Sequence, residues 1–136
     1  MEQNIFKRWN RIVGWVVFAI AATTYLLTIE PSSSLWDCGE FVATSYKLEV
    51  GHPPGAPLFM LVARIATMFA PSPYYVPHMV NGMNALASAF CILFLFWTIT
   101  HIARRLLSRD GKSLTVANAI AVLGSGAVGA LAYTFT

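Results

Sequence analysis

The feature that most limits how this chain can fold is a set of long stretches without a single charged residue. No Lys, Arg, Asp or Glu occurs from Ile12 to Ile29, a run of 18 residues. At about 1.5 Å per helical residue this run covers roughly 27 Å, close to the hydrocarbon thickness of a bilayer. After Arg64 no charge appears until Arg104. Pro71, Pro73 and Pro77 interrupt that second run, because proline lacks a backbone donor and blocks a continuous helix. The part that remains is a span over about 77–100, with Pro77 suited to the first helical turn. A third run, Leu114 to Thr136, holds 23 uncharged residues. The chain therefore reads as crossing a membrane three times, over 12–29, 77–100 and 114–136. Its composition agrees: 57% hydrophobic and 11% charged, where a soluble domain is nearer one quarter charged. Nothing in the sequence points to a nucleic-acid partner.

The segment 30–76 does not read as a further crossing. Asp37, Glu40, Lys47 and Glu49 would each cost roughly 2.5–3.5 kcal/mol at a helix centre in lipid. Leu58 to Phe69 is apolar but short, about 18 Å of helix, and Arg64 interrupts it. It is expected to lie in the interface, apolar side down, with Arg64 reaching to the headgroups. Asp37 to Lys47 is expected to form a second such helix, capped by Ser34 or Asp37. Gly51-His52-Pro53-Pro54-Gly55 separates the two as a rigid turn. The expected fold is thus an all-α polytopic membrane protein, with two interfacial helices in the first outer loop.

Orientation follows from the basic residues in the short flanks. Lys7, Arg8 and Arg11 precede the first run; Arg104, Arg105, Arg109 and Lys112 lie between the second and third. The loop 30–76 has only Lys47 and Arg64 against Glu30, Asp37, Glu40 and Glu49. This asymmetry places the N-terminus in the cytoplasm and the acidic loop outside. The first run is longer than the roughly 7–15 residues of a signal-peptide core and lacks a clear cleavage site, so it reads as an uncleaved anchor.

Two cysteines do not make a disulfide framework. Cys38 is expected to be a free thiol in the loop, and Cys91 a small packing residue near mid-bilayer. In the third run, Ser125-x-x-x-Gly129 is a small-x-x-x-small pattern that suits close approach to another helix, in the chain or on a partner. Thr136 follows this run with no polar tail, which reads as the N-terminal part of a longer polypeptide.

The loop carries the groups capable of chemistry. Asp37 and Glu40 are three apart and share a face if helical. Such a pair can supply a general base, hold a divalent cation that binds phosphate, or simply cap a helix in a capping-box pattern. His52, fixed between glycines and prolines, can donate to a phosphate or act as a surface hydrogen-bonder. Lys47 and Arg64 can balance a lipid phosphate or snorkel. His78 and Trp36 read as membrane-boundary residues, and Arg104 and Arg105 as topology determinants.

Two blocks add a resemblance: Trp36-Asp37-Cys38-Gly39-Glu40-Phe41, and Gly51-His52-Pro53-Pro54-Gly55-Ala56-Pro57-Leu58-Phe59. Together they resemble the membrane-protein family known as domain of unknown function 2723, abundant in Bacteroidota and similar to a eukaryotic transmembrane protein O-mannosyltransferase. The resemblance covers the whole chain but only the N-terminal part of such proteins. It implies a GT-C type glycosyltransferase in a bacterial cytoplasmic membrane, with loop 30–76 periplasmic. The donor would be a polyprenyl-phosphate-linked sugar and the acceptor a Ser or Thr hydroxyl of a protein. Asp37 would be the base, Glu40 its partner or the alternative base, and His52 the residue that orients the donor phosphate or supports the acids. A divalent cation, Mg or Mn, is compatible with this chemistry but not required by it. These residues alone are expected to be inactive without the later helices. Two other readings compete: a non-enzymatic subunit packed against a complex such as a protein-export channel, and a small transporter component. The second is disfavoured because no charged residue lies within a span.

Overall fold

A computed structural model describes residues 3–53, 55–108 and 114–135. Every regular element among them is helical. The order is α1 (Gln3–Leu27), α2 (Cys38–Lys47), α3 (Pro57–Thr67), a short 3-10 turn (Pro73–Tyr75), α4 (Val76–Leu107) and α5 (Val116–Thr134). Three of these regions, Gln3–Leu27, Pro73–Leu107 and Val116–Thr134, are long and apolar enough to cross a membrane. Pro54, Arg109, Lys112 and Thr136, which entered the turn, the charge asymmetry and the third run, lie outside the described residues.

The helices do not end where the uncharged runs end. α1 begins at Gln3 and takes in Lys7, Arg8 and Arg11, all exposed. α4 continues past Thr100 through Arg104 and Arg105 in its last turn, where cations favour the negative end of the helix dipole. Lipid excludes charge from its interior but does not stop the backbone ladder, so charge-free length measures a crossing rather than a helix.

The chain divides into two compact units. The first contains the start of the chain through Thr24 together with 88–136. Here α1 lays Gly14 against α4 so closely that a Cβ would sit 2.6 Å from Trp97 Nε1 and 3.2 Å from Leu93 Cδ1. The Trp97 indole donates to the Asn10 carbonyl at 3.4 Å, and Phe18 packs on Phe90 with ring centroids 4.7 Å apart. Phe6 is buried with Leu114, Ala119 and Val122.

α5 buries Ala119, Val122, Gly126, Ala130 and Thr134, one stripe at three- and four-residue spacing. A Cβ on Gly126 would meet Thr100 Cγ2 at 2.5 Å and Phe96 at 3.1 Å, and one on Gly129 would meet Ile99 Cδ1 at 2.9 Å. The close approach therefore occurs within the chain and centres on Gly126. Ser125 and Gly124 are exposed; of the expected Ser125–Gly129 pair, Gly129 takes part in the contact, whereas Ser125 is out of phase with Gly126 by one residue, about 100° of helix. Cys91 likewise lies off the buried stripe Ala89, Ile92, Leu93, Phe96 of α4 and is exposed, not the packing residue that its apolar surroundings suggested.

The second unit is 25–87. Its core joins Val42 of α2, Ala63 of α3 and Val76 and Val80 of α4, with Phe59, Ala70 and Met83 around them. α3 opens on Pro57 in its first turn and tightens at its end, where Phe69 N–H donates to Ala66 O at 3.2 Å and Ala70 N–H to Thr67 O at 3.1 Å. Pro71 follows and cannot extend it. α2 stops at Leu48, whose left-handed backbone (φ 56°) turns its N–H back to Thr44 O, the αL way of satisfying a helix C-terminus.

Candidate active site in the first loop

One sulfur bridges α2 and α3 at the centre of their contact. Met60, buried on α3, receives the Ser45 hydroxyl at 3.1 Å and the Thr44 hydroxyl at 3.4 Å, both from buried positions on α2. A thioether is a weak acceptor, but it fills the gap between the helices as well. Phe41 adds an edge-to-face contact with Phe59, centroids 5.6 Å apart. This pairing fixes α2, and α2 in turn fixes Glu40.

Asp37 takes the N-cap position of α2, yet its side chain makes no capping bond. In a capping box Glu40 would reach back to the Asp37 N–H. It turns instead across the loop: Oε1 accepts the His52 backbone N–H at 2.8 Å, and Oε2 lies 2.8 Å from His52 Nδ1. The capping-box reading does not describe this loop. Glycine at position 51 leaves room for this contact: a Cβ there would stand 3.0 Å from Glu40 Oε1. On the other side, Gly55 N–H returns to the His52 carbonyl at 3.0 Å, with Gly55 at φ 71°, a conformation glycine adopts without strain. Phe41 borders the imidazole, centroids 6.4 Å apart.

The result is a cluster of Asp37, Glu40 and His52, each offering one ligand atom, all within 4.8 Å of one another and open to solvent. Donation from the His52 backbone, then from its ring, holds the Glu40 carboxyl below its ordinary value. The hydrogen bond and charge of Glu40, with a smaller contribution from Asp37, hold the imidazole above its ordinary value. Glu40 is thus a committed carboxylate, and Asp37 is the one with its side-chain oxygens unengaged among the described residues. His52 keeps Nε2 for a further partner.

Lys47 and Arg64 do not join them. Lys47 Nζ stands 3.9 Å from Glu49 Oε1, both well exposed. Arg64 donates to the Tyr46 carbonyl and lies over the Tyr46 ring, 5.6 Å from its centroid. The expected reach of Arg64 to the headgroups is replaced by a grip on the end of α2, where unpaired carbonyls attract a cation. Trp36, next to Asp37, is 93% exposed with φ 70°, an uncommon conformation for a bulky residue. Ser34 donates to Cys38 Sγ at 3.3 Å, not to the helix, and Cys38 is a free thiol as expected.

One contributor had little signal in the sequence. The Asn81 side chain on α4 donates to the carbonyls of Glu30 at 2.8 Å and Ser32 at 3.1 Å, tethering the segment that leads to Asp37. Its only mark was a polar amide within an apolar span.

Three helices able to cross a bilayer, with a carboxylate–imidazole cluster on the connection between the first two, define a multi-pass membrane protein with a candidate reaction site outside its spans. The chain belongs to the family of the protein O-mannosyl-transferase TMEM260 N-terminal domain, whose profile matches residues 37–136. A Mus musculus protein named protein O-mannosyl-transferase TMEM260 is 34% identical over 87 residues, covering 64% of this chain and 12% of that protein. A Dictyostelium discoideum protein of the same name is 28% identical over 85 residues, covering 62% and 10%. The chain thus spans 12% and 10% of the length of these two curated relatives. No solved structure matches it.

Proposed function

We propose that this chain is the N-terminal membrane part of a protein O-glycosyltransferase of the GT-C type, O-mannosyltransferase-like and related to the domain of unknown function 2723 proteins of Bacteroidota. In this reading it lies in a bacterial cytoplasmic membrane with its N-terminus cytoplasmic and loop 30–76 periplasmic. It takes a sugar from a polyprenyl-phosphate carrier and passes it to a Ser or Thr hydroxyl of a protein acceptor. The observation that carries the reading is the Asp37–Glu40–His52 cluster in a chain whose relatives are named for protein O-mannosyl transfer.

Asp37 is the base. The acceptor oxygen attacks the anomeric carbon, its proton passes to Asp37, and the bond from that carbon to the lipid phosphate breaks with its electron pair on the leaving phosphate. Glu40 positions and charges His52, whose Nε2–H donates to a phosphate oxygen. Lys47, exposed and only loosely paired, is free to add charge to the same phosphate, whereas Arg64 supports the loop by holding the end of α2. A divalent cation would be held by Asp37 and Glu40 with His52 in its neutral form, and would supply positive charge at the leaving phosphate in place of the charged imidazole. A mixed nitrogen and oxygen set suits Mn better than Mg.

The competing reading, a non-enzymatic subunit docked through the Gly-rich third span, loses its main support because Gly126 and Gly129 already face α4. In the full-length protein, Asp37→Asn is expected to lower sugar transfer to an acceptor peptide by about 10²–10⁴-fold while membrane insertion is unchanged. Undiminished transfer removes Asp37 from the mechanism.

A further inference from the structure

The unit formed by 1–24 and 88–136 carries charge of one sign. Its cations among the described residues are Lys7, Arg8 and Arg11 of α1 and Arg104 and Arg105 of α4, and no Asp or Glu accompanies them there. Over the whole of both segments the sequence holds seven Lys and Arg against two acids, Glu2 and Asp110. None of the five described cations forms an ion pair among the described residues.

The fold gathers these charges at one end of a helix pair. The Arg104 guanidinium lies over the Phe6 ring, 5.3 Å from its centroid, on the turn of α1 that also carries Lys7 and Arg8. The Trp97 indole meets the Asn10 carbonyl, and Leu93 meets Gly14, so α1 and α4 run antiparallel with their basic ends together. Lys7 and Arg11 are four apart on one helical face, a spacing at which like charges repel. The free N–H groups at the start of α1 add partial positive charge, and its first turn has no acidic residue. An anion is therefore favoured at this end of the pair.

The surface among these cations is apolar. Trp9 and Ile12 of α1 and Ile102 and Leu106 of α4 are all exposed. A soluble polyanion would answer the cations and leave these side chains in water. A neutral lipid would cover the side chains and leave the charge uncompensated. A phospholipid of net negative charge does both, with its phosphate at the cations and its acyl chains along helices able to cross a bilayer.

We infer that the paired basic ends of α1 and α4 bind the headgroup of an anionic phospholipid, its phosphate held between Arg104 and the Lys7–Arg8 turn. The guanidinium donors lie in the plane of the group, so contact with the Phe6 ring leaves them available to phosphate oxygens. This site is separate from the loop cluster and does not depend on the transferase reading.

Lipid titration tests it. The full-length protein in detergent is titrated with phosphatidylglycerol and, separately, with phosphatidylcholine, and bound lipid is counted by native mass spectrometry. Phosphatidylglycerol is expected to bind about 25-fold more tightly, roughly fivefold for each of the two points that meet its phosphate. Arg104→Gln, and Lys7→Gln combined with Arg8→Gln, are each expected to lower its affinity at least about fivefold. Neither change should move phosphatidylcholine by more than about twofold. Arg104→Lys keeps the charge and is expected to stay within about twofold of wild type, which separates loss of charge from damage to the helix contact. Equal affinity for the two lipids overturns the proposal, as does unchanged phosphatidylglycerol binding in either glutamine variant. An equal loss in Arg104→Lys and Arg104→Gln also overturns it. Displacement of phosphatidylglycerol by equimolar polyglutamate would assign the patch to a soluble polyanion and overturn it too.

Discussion

The carboxylate of Glu40 holds His52 at two atoms, the backbone N–H and the imidazole Nδ1, each at 2.8 Å. Eleven residues of chain, 41–51, separate the two, and they include most of α2. Apolar packing of α2 on α3 brings the two within reach, and the contact itself is a charge pair whose behaviour should follow the charges.

The first expectation concerns pH. His52 is raised above its ordinary 6.5, so its share of the pair is complete below that value and is lost as pH rises through the raised one. Glu40 is lowered below 4.5, so its share is complete above that value and is lost as pH falls through the lowered one. The contact is therefore best formed between the two. An NMR titration of the His52 ring should give a midpoint above 6.5, moving down in Glu40→Gln. An unchanged midpoint would mean that the pair does not form in solution.

Gly51→Ala should break the same contact sterically. Its Cβ would stand 3.0 Å from Glu40 Oε1, tighter than ordinary packing, so the carboxylate must move. The His52 titration should shift toward its ordinary value as in Glu40→Gln, and sugar transfer by the full-length protein should fall. A wild-type titration in Gly51→Ala would show that the loop relaxes without cost.

Met60→Ala should loosen α2 from α3. It removes a buried side chain and leaves the Ser45 hydroxyl with only its bond to the Phe41 carbonyl. A buried Met→Ala change costs about 2–5 kcal/mol. Hydrogen exchange should accelerate in α2 and α3 but not in α5.

Gly126→Leu and Gly124→Leu form a contrast on one helix. The first forces a Cβ to 2.5 Å from Thr100, the second meets nothing within 4 Å. Overpacking at Gly126 should cost about 1–3 kcal/mol, read as lower thermal stability in detergent, whereas Gly124→Leu should be near neutral. Equal effects would place the contact of α5 elsewhere.

Thiol labelling checks the proposed orientation. Cys38 is exposed in the loop, and Cys91 is exposed on the surface of α4, where hydrocarbon shields it. A membrane-impermeant maleimide added from outside should modify Cys38 alone. Modification of Cys38 only from the cytoplasmic side would invert the topology.

The three membrane-crossing helices and the acidic connection were legible in the sequence because lipid excludes charge residue by residue, so a crossing is a local property. The cysteine state of the loop and the short helices after Asp37 and around Leu58 were legible for similar reasons. Tertiary structure alone decided the rest. Glu40 spans to His52 instead of capping its own helix because α2 and α3 are locked through Met60, which brings position 52 within reach. Arg64 goes to Tyr46 because the C-terminus of α2 ends beside it. Gly126, not Ser125, meets α4 because helix phase, fixed by packing, selects one stripe among several small residues. Local chemistry set which helices are able to cross a membrane; only the folded chain could choose which carboxylate is engaged and which is left free.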